Sequence, residues 1–211
     1  GAIITGTGLG STEDNEKILL AITENQERLI NPTHFIQSTH NTISSQIAIM
    51  LTCHNYNNTY VHRGFSFESA LLDGLLLLRE GSADTSLVGG VDALTEGHYR
   101  NFARVNRWKP NDGGSLQMIT EAGAGEIPGE GSAHFVLGKE KTASTYAVLR
   151  DLKLLYKPGG PAEVVKLCRA MLTEQGMTSE EIQLVITGNN GNTATDHYYR
   201  EFMHELFPTT S

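Results

Sequence analysis

Apolar and polar positions along the chain alternate between two periods. Ala2–Thr5 is a short apolar run that ends in the turn Gly6-Thr7-Gly8-Leu9-Gly10, which predicts a strand followed by a tight reversal. Ser11, Thr12 and Asp14 are capping residues, and Glu16–Ile30 has helical spacing that stops at Asn31-Pro32. Asn41–Cys53 predicts a second helix, Thr59–His62 a short strand, and Ser66–Glu80 a third helix closed by Gly81. Thr85–Val91 reads as a buried strand, and a short helix is expected around His98–Arg107. Gly131–Lys139 and Thr145–Leu155 read as consecutive strands. Pro161–Gln175 is a helix, Gln183–Thr187 a strand and Asp196–Phe207 a last helix. Strands alternating with helices predict a layered α/β fold with a largely parallel sheet.

Composition narrows the function classes. Lys plus Arg number 16 against 24 Asp plus Glu, a net charge of -8, which argues against nucleic acid as the main partner. Cys53 and Cys168 are far apart and show no C-x-x-C spacing, so neither a disulfide framework nor a zinc knuckle is indicated. Two lone thiols fit a reducing, cytoplasmic setting. The longest apolar stretch, Leu71–Leu78, is interrupted by Asp73 and Gly74 and is too short to span a membrane. The chain opens within its first strand and reads as cut there.

Several segments carry candidate chemistry. The turn at Gly6–Gly10 resembles a dinucleotide fingerprint in spacing, but the acidic residue expected about 20 positions later at the end of a second strand is missing. A strand-to-helix turn is the better account. The segment from Tyr60 to Ser69 combines a strand, a sharp turn and a helix start, the geometry that presents a nucleophile to a helix N-terminus. Ser66 is the hydroxyl there and His62 the base nearest in sequence, although a serine at a helix start is more often a cap. Cys53-His54 reads as a packed thiol beside a polar turn. His197 and His204 share a helix face without a third ligand, so no metal site is expected. Arg100, Arg104 and Arg107 fall at i, i+4 and i+7 with Lys109 close behind. On one helix they would form a basic stripe suited to an acidic partner.

Four segments in order resemble the β-ketoacyl synthases of the thiolase-like superfamily. They are Ile3-Ile4-Thr5-Gly6-Thr7-Gly8-Leu9-Gly10; Pro32–Ser38 with Asn41–Ala48; Gly81-Ser82-Ala83-Asp84 leading to Leu87-Val88-Gly89-Gly90-Val91-Asp92; and Gly129-Glu130-Gly131-Ser132-Ala133 running into Phe135-Val136-Leu137. The resemblance implies a thiolase-like fold with a mixed, mostly parallel sheet and helices on both faces. Residues 1–142 would form the first repeat without its first strand, and 143–211 the start of a second, incomplete repeat.

The same resemblance implies condensation of acyl chains delivered by acyl carrier protein, using a cysteine nucleophile and two histidines and no cofactor. This sequence departs from that pattern. Counting back from Ala83-Asp84 puts the cysteine position at Gly64, or at Phe65 with one deletion. The turn of the first histidine reads Thr187-Gly188-Asn189-Asn190-Gly191-Asn192-Thr193. The expectation is a pseudo-active site at Gly64, Phe65, Gly188 and Asn189. The chain would then be a divergent member, similar to chain-length factors or to the synthase-like proteins of aryl-polyene pigment pathways. It would act as a homodimer or paired with an active synthase, with Arg100, Arg104, Arg107 and Lys109 facing the carrier protein. The alternative is a thioester hydrolase or decarboxylase that uses Ser66 and His62.

Overall fold

The computed structural model describes residues 1–28, 30–109 and 123–208. Two compact units are present: Gly1–Arg100 with Gly129–Tyr146, and Asn101–Pro128 with Ala147–Ser211.

The first unit is built on a four-stranded sheet in the order β2-β1-β3-β4, with β1 Ala2–Gly6, β2 Asn57–Tyr60, β3 Thr85–Asp92 and β4 Gly131–Gly138. β1 runs parallel to both β2 and β3, and β4 closes the order antiparallel to β3. The sheet is therefore mixed and mostly parallel. β1 is central and buried along its whole length, as its uninterrupted apolar run requires.

Helices cover both faces. On one face α4, Ser66–Glu80, packs on β1 and β3. It approaches so closely that a Cβ at Gly74 would lie 2.6 Å from Val88 Cγ2, so only glycine fits there. The core on this side is Ala2, Ile4, Ala70 and Val88, flanked by Tyr60, Phe67, Leu71 and Leu137. On the other face Ser44 of α3, Thr42–Met50, shares hydrogen bonds of 2.9 and 2.6 Å with Asn57 and Thr59 of β2. Its hydroxyl is fully buried, so these bonds replace water.

Two further helices, α1 (Thr12–Glu24) and α2 (Pro32–Ser38), pack against each other. α1 starts and ends earlier than the spacing of Glu16–Ile30 predicts. Asn31-Pro32 separates the helices and also starts α2: the Asn31 side chain accepts from Thr33 N–H, and Pro32 occupies the first turn. α5, Glu96–Arg104, follows β3.

In the second unit α6, Pro161–Glu174, packs on α7, Thr193–Leu206, around Val165, Leu206 and Phe207. Thr145–Leu155 and Gln183–Thr187, expected as strands, form no ladder among the described residues. Their alternation is nonetheless visible: Val185 packs on the α6–α7 core while Leu184 and Ile186 stay exposed. A strand exists only with a hydrogen-bonded neighbour, and neither segment has one in the described sheet.

Candidate functional site

The carboxyl ends of β1 and β3 and the start of α4 border an open cavity of about 360 Å³. Ligands bind at this position in open α/β sheets, because the strand ends diverge and helix N-termini point inward. Its walls are Gly6, Thr7 and Gly8 from the glycine turn, Arg63–Gly64 and Ser66–Glu68 from the helix start, and Gly90–Asp92 from β3, with Gly131 at the rim.

The glycine turn is held by Asp92, the last residue of β3. Its carboxylate accepts from Thr7 Oγ1 at 2.7 Å, from Gly8 N–H at 2.9 Å and from Leu9 N–H at 2.9 Å. Thr7 Oγ1 in turn accepts from Gly10 N–H at 2.9 Å. The backbone donors that a dinucleotide phosphate would need are thus taken by a carboxylate, which rules out that use of the turn. Residue spacing could not show this: Asp92 reaches the turn only because β1 pairs with β3 in the register Gly6↔Gly90.

The helix start is equally fixed. A short 3-10 turn, Arg63–Phe65, precedes α4, and Arg63 has a left-handed φ of 50°. Ser66 is 3% exposed. Its hydroxyl donates to the Arg63 carbonyl at 2.9 Å and accepts from His62 N–H at 2.8 Å. The single Ser66 proton is therefore directed at a carbonyl, and His62 meets this hydroxyl through its backbone. The His62 ring lies edge-on to Phe65 with centroids 6.0 Å apart. The Ser66 hydroxyl thus closes the turn that leads into α4.

At the two positions the resemblance implies for the cysteine stand Gly64 and Phe65, and nothing lies within 4 Å of where a Gly64 Cβ would be. The two thiols are elsewhere. Cys53 follows α3 and donates to the Gly1 carbonyl at 3.4 Å. Cys168 belongs to α6, where burial pushes its thiol above the usual range. At the sheet edge, burial first and then the Asp73 carboxylate push the Tyr60 hydroxyl up to about 12. Tyr56 donates to the same carboxylate at 2.9 Å.

Gly188 and Asn189 belong to the second unit. A Cβ at Gly188 would meet Tyr199 Oη at 2.6 Å, and Asn189 Oδ1 accepts from Thr187 at 2.5 Å. The following turn repeats the device seen at Asp92: the Asp196 carboxylate accepts from Asn190 N–H at 3.1 Å and Gly191 N–H at 2.9 Å.

The expected basic stripe is not continuous on one helix. α5 ends at Arg104, and Asn106 takes a left-handed φ of 55° that turns the chain. Arg100 pairs with Glu96 at 2.5 Å on an exposed face. Arg107 instead pairs with Glu126 at 3.2 Å and lies 5.2 Å above the Phe102 ring. Lys109 is 7% exposed, and its N–H donates to the Glu126 carbonyl. Arg100 and Arg104 therefore share α5, while Arg107 and Lys109 lie beyond its end. Among the described residues no group of His, Cys, Asp or Glu is placed to hold a metal, and no helix is long and apolar enough to cross a membrane.

Comparison with known proteins agrees with this geometry. The family model of the β-ketoacyl synthase N-terminal domain matches residues 2–143. The ishigamide ketosynthase/chain length factor is 17% identical, with 97% of this chain and 55% of that one covered and a TM-score of 0.70. A β-ketoacyl synthase from Burkholderia phymatum STM815 is 12% identical, with 98% and 54% covered and a TM-score of 0.68. The ketosynthase (ApeO) in complex with its chain length factor (ApeC) from Xenorhabdus doucetiae is 26% identical over 47% of this chain and 41% of that one, with a TM-score of 0.42. The chain spans about half the length of these solved relatives. No curated protein matches its sequence. The matched residues carry the sheet, the clamped glycine turn and the helix start that form the cavity, and the chain belongs to the β-ketoacyl synthase N-terminal domain family.

Proposed function

We propose that this chain serves fatty-acid or polyketide (pigment polyene) biosynthesis as a subunit that does not itself condense acyl chains. It acts as the chain-length-factor-like partner of an active β-ketoacyl synthase. One observation carries the reading: Gly64 and Phe65 stand in the turn just before α4 where the resemblance calls for a thiol, and neither cysteine lines the cavity. Without a nucleophile there is no covalent acyl intermediate to split the reaction into two steps. The surrounding shape supports substrate handling, since the cavity is open and its walls are fixed by Asp92 and Ser66.

The pairing is brought over from the relative named as a ketosynthase/chain length factor, whose fold this chain shares. Acyl carrier protein, an acidic partner, would meet the exposed Arg100 and Arg104 of α5, with Arg107 and Lys109 bracing the segment that follows. The reading places the protein in the cytoplasm, needs no cofactor, and treats residues 1–142 and 143–211 as successive repeats.

Purification with a candidate synthase and carrier protein tests it. A stable complex and a change in product length on adding this chain are expected; no association and unchanged products would contradict it. The geometry of the vacated position can be read separately. Gly64→Cys is expected to fold as wild type, because an added Cβ meets nothing. The new thiol would stand at a helix start, with its pKa lowered from about 8.5 to about 7. The pH profile of iodoacetamide labelling measures this. A midpoint at or above that of a free thiol would show that Gly64 is not in a nucleophile's place.

A further inference from the structure

The connection from β3 into α5 is held at each of its residues by a different side chain. Thr12 Oγ1 donates to the Ala93 carbonyl at 3.0 Å, and Leu94 N–H donates to Glu130 Oε2 at 3.0 Å. Thr95 Oγ1 donates to the carboxylate of Glu16, on α1. The same Thr95 oxygen accepts from His98 N–H at 3.1 Å, the bond of a residue that caps a helix. Glu16 therefore reaches the first turn of α5 through its cap. It also lies directly on that turn: a Cβ at Gly97 would sit 2.7 Å from Glu16 Oε1 and 3.1 Å from its Cδ. The absent side chain at Gly97 makes the room, and a carboxylate there faces the positive end of the α5 dipole. No residue of α5 is buried, so apolar packing gives the helix little hold, and its first turn is where it is fixed. Arg100 stands one turn further on and is exposed.

We infer that Glu16 is the positioning residue of the α5 surface: it holds the first turn of the helix and so sets where Arg100 is presented to an acidic partner. This rests on the reading that acyl carrier protein meets α5. Glu16 touches no partner itself, and by charge alone it would repel an acidic one. Its effect is to fix in advance a turn that would otherwise be ordered at the moment of binding. A carboxylate at a helix N-terminus supplies up to about fivefold in this way.

Binding of holo acyl carrier protein to the full chain at two ionic strengths tests this, with Arg100→Ala, Glu16→Ala, Gly97→Ala and the double variant Glu16→Ala/Gly97→Ala beside wild type. Arg100→Ala is expected to weaken binding and flatten its salt dependence. Glu16→Ala removes a negative charge, yet weaker binding is expected, by about fivefold. Gly97→Ala keeps every charge and favours the helix itself, but its Cβ displaces the Glu16 carboxylate, so a similar loss with the wild-type salt dependence is expected. The double variant binds no more weakly than Glu16→Ala alone, because the two changes break one contact. Thermal unfolding identifies the folded variants. Gly97→Ala presses only on the far end of a flexible side chain and keeps the test open if Glu16→Ala unfolds. If Arg100→Ala weakens binding while Glu16→Ala and Gly97→Ala bind as well as wild type or better, the inference is overturned and the functional reading stands. Losses that add in the double variant overturn it as well. No binding by wild type, or unchanged binding by Arg100→Ala, overturns the inference and the carrier-protein part of that reading together.

Discussion

Gly6→Ala is expected to unfold the first unit. A Cβ at Gly6 would lie 2.4 Å from both the carbonyl carbon and oxygen of Ser66 and 2.5 Å from Phe67 N. All of these are backbone atoms at the start of a helix that packs on β1 and β3. Side-chain rotation cannot relieve the clash, so α4 would have to move away from β1 and open the Ala2, Ile4, Ala70 and Val88 core. Overpacking against rigid backbone belongs to the severe end of single substitutions, about 3–5 kcal/mol. Gly64→Ala is the control: it lies three residues from Phe67 but has open space around its Cβ, and its stability is expected within about 0.5 kcal/mol of wild type. Chemical denaturation of the two variants reads the difference. Equal stability would show that α4 does not sit on Gly6 as described.

The second large effect is expected at Asp92. Asp92→Ala removes the acceptor of Thr7 Oγ1, Gly8 N–H and Leu9 N–H at once. Thr7 is buried, so its hydroxyl loses its acceptor without gaining water. The cost is about 2–4 kcal/mol, or a fall in Tm of about 5–15 °C for a chain of this size. Asp92→Asn keeps one acceptor oxygen but points an NH2 group at the remaining donors, and an intermediate loss is expected. Thermal unfolding orders the three proteins. A Tm for Asp92→Ala within about 2 °C of wild type would show that the turn does not depend on the carboxylate.

Much of the first unit was legible in the residues. The apolar run of β1, the length of α4 and its end at Gly81, and the position of β4 all follow from periodicity and turn residues. The basic stripe was not legible, because spacing assumes that the helix continues. α5 ends at Arg104, Asn106 is left-handed, and Arg107 meets Glu126, a partner nineteen residues later that spacing cannot point to. Thr145–Leu155 and Gln183–Thr187 have strand patterns, yet a pattern supplies only one face of a strand and not the neighbour that makes the ladder.

The site divides in the same way. Ser66 was visible as a candidate cap or nucleophile. Only the positions of the Arg63 carbonyl and the His62 amide show where its proton points. Gly64 could be placed by counting against the family pattern, but the empty space around it could not. Asp92 was visible as part of a strand-end motif. Its grip on the glycine turn required the β1–β3 register. Phe67 is one of two aromatic residues beside the expected cysteine position, and its place both in the cavity wall and against the core emerges only from packing.

Intact-mass spectrometry tests the central claim most directly. The chain and an active β-ketoacyl synthase are each incubated with an acyl thioester of pantetheine, and their masses are compared. The synthase is expected to gain one acyl group, and this chain, with Gly64 in the turn before α4 and the Ser66 hydroxyl bonded to the Arg63 carbonyl, to gain none. An acyl adduct on this chain that disappears in Ser66→Ala would contradict it and restore a covalent enzyme.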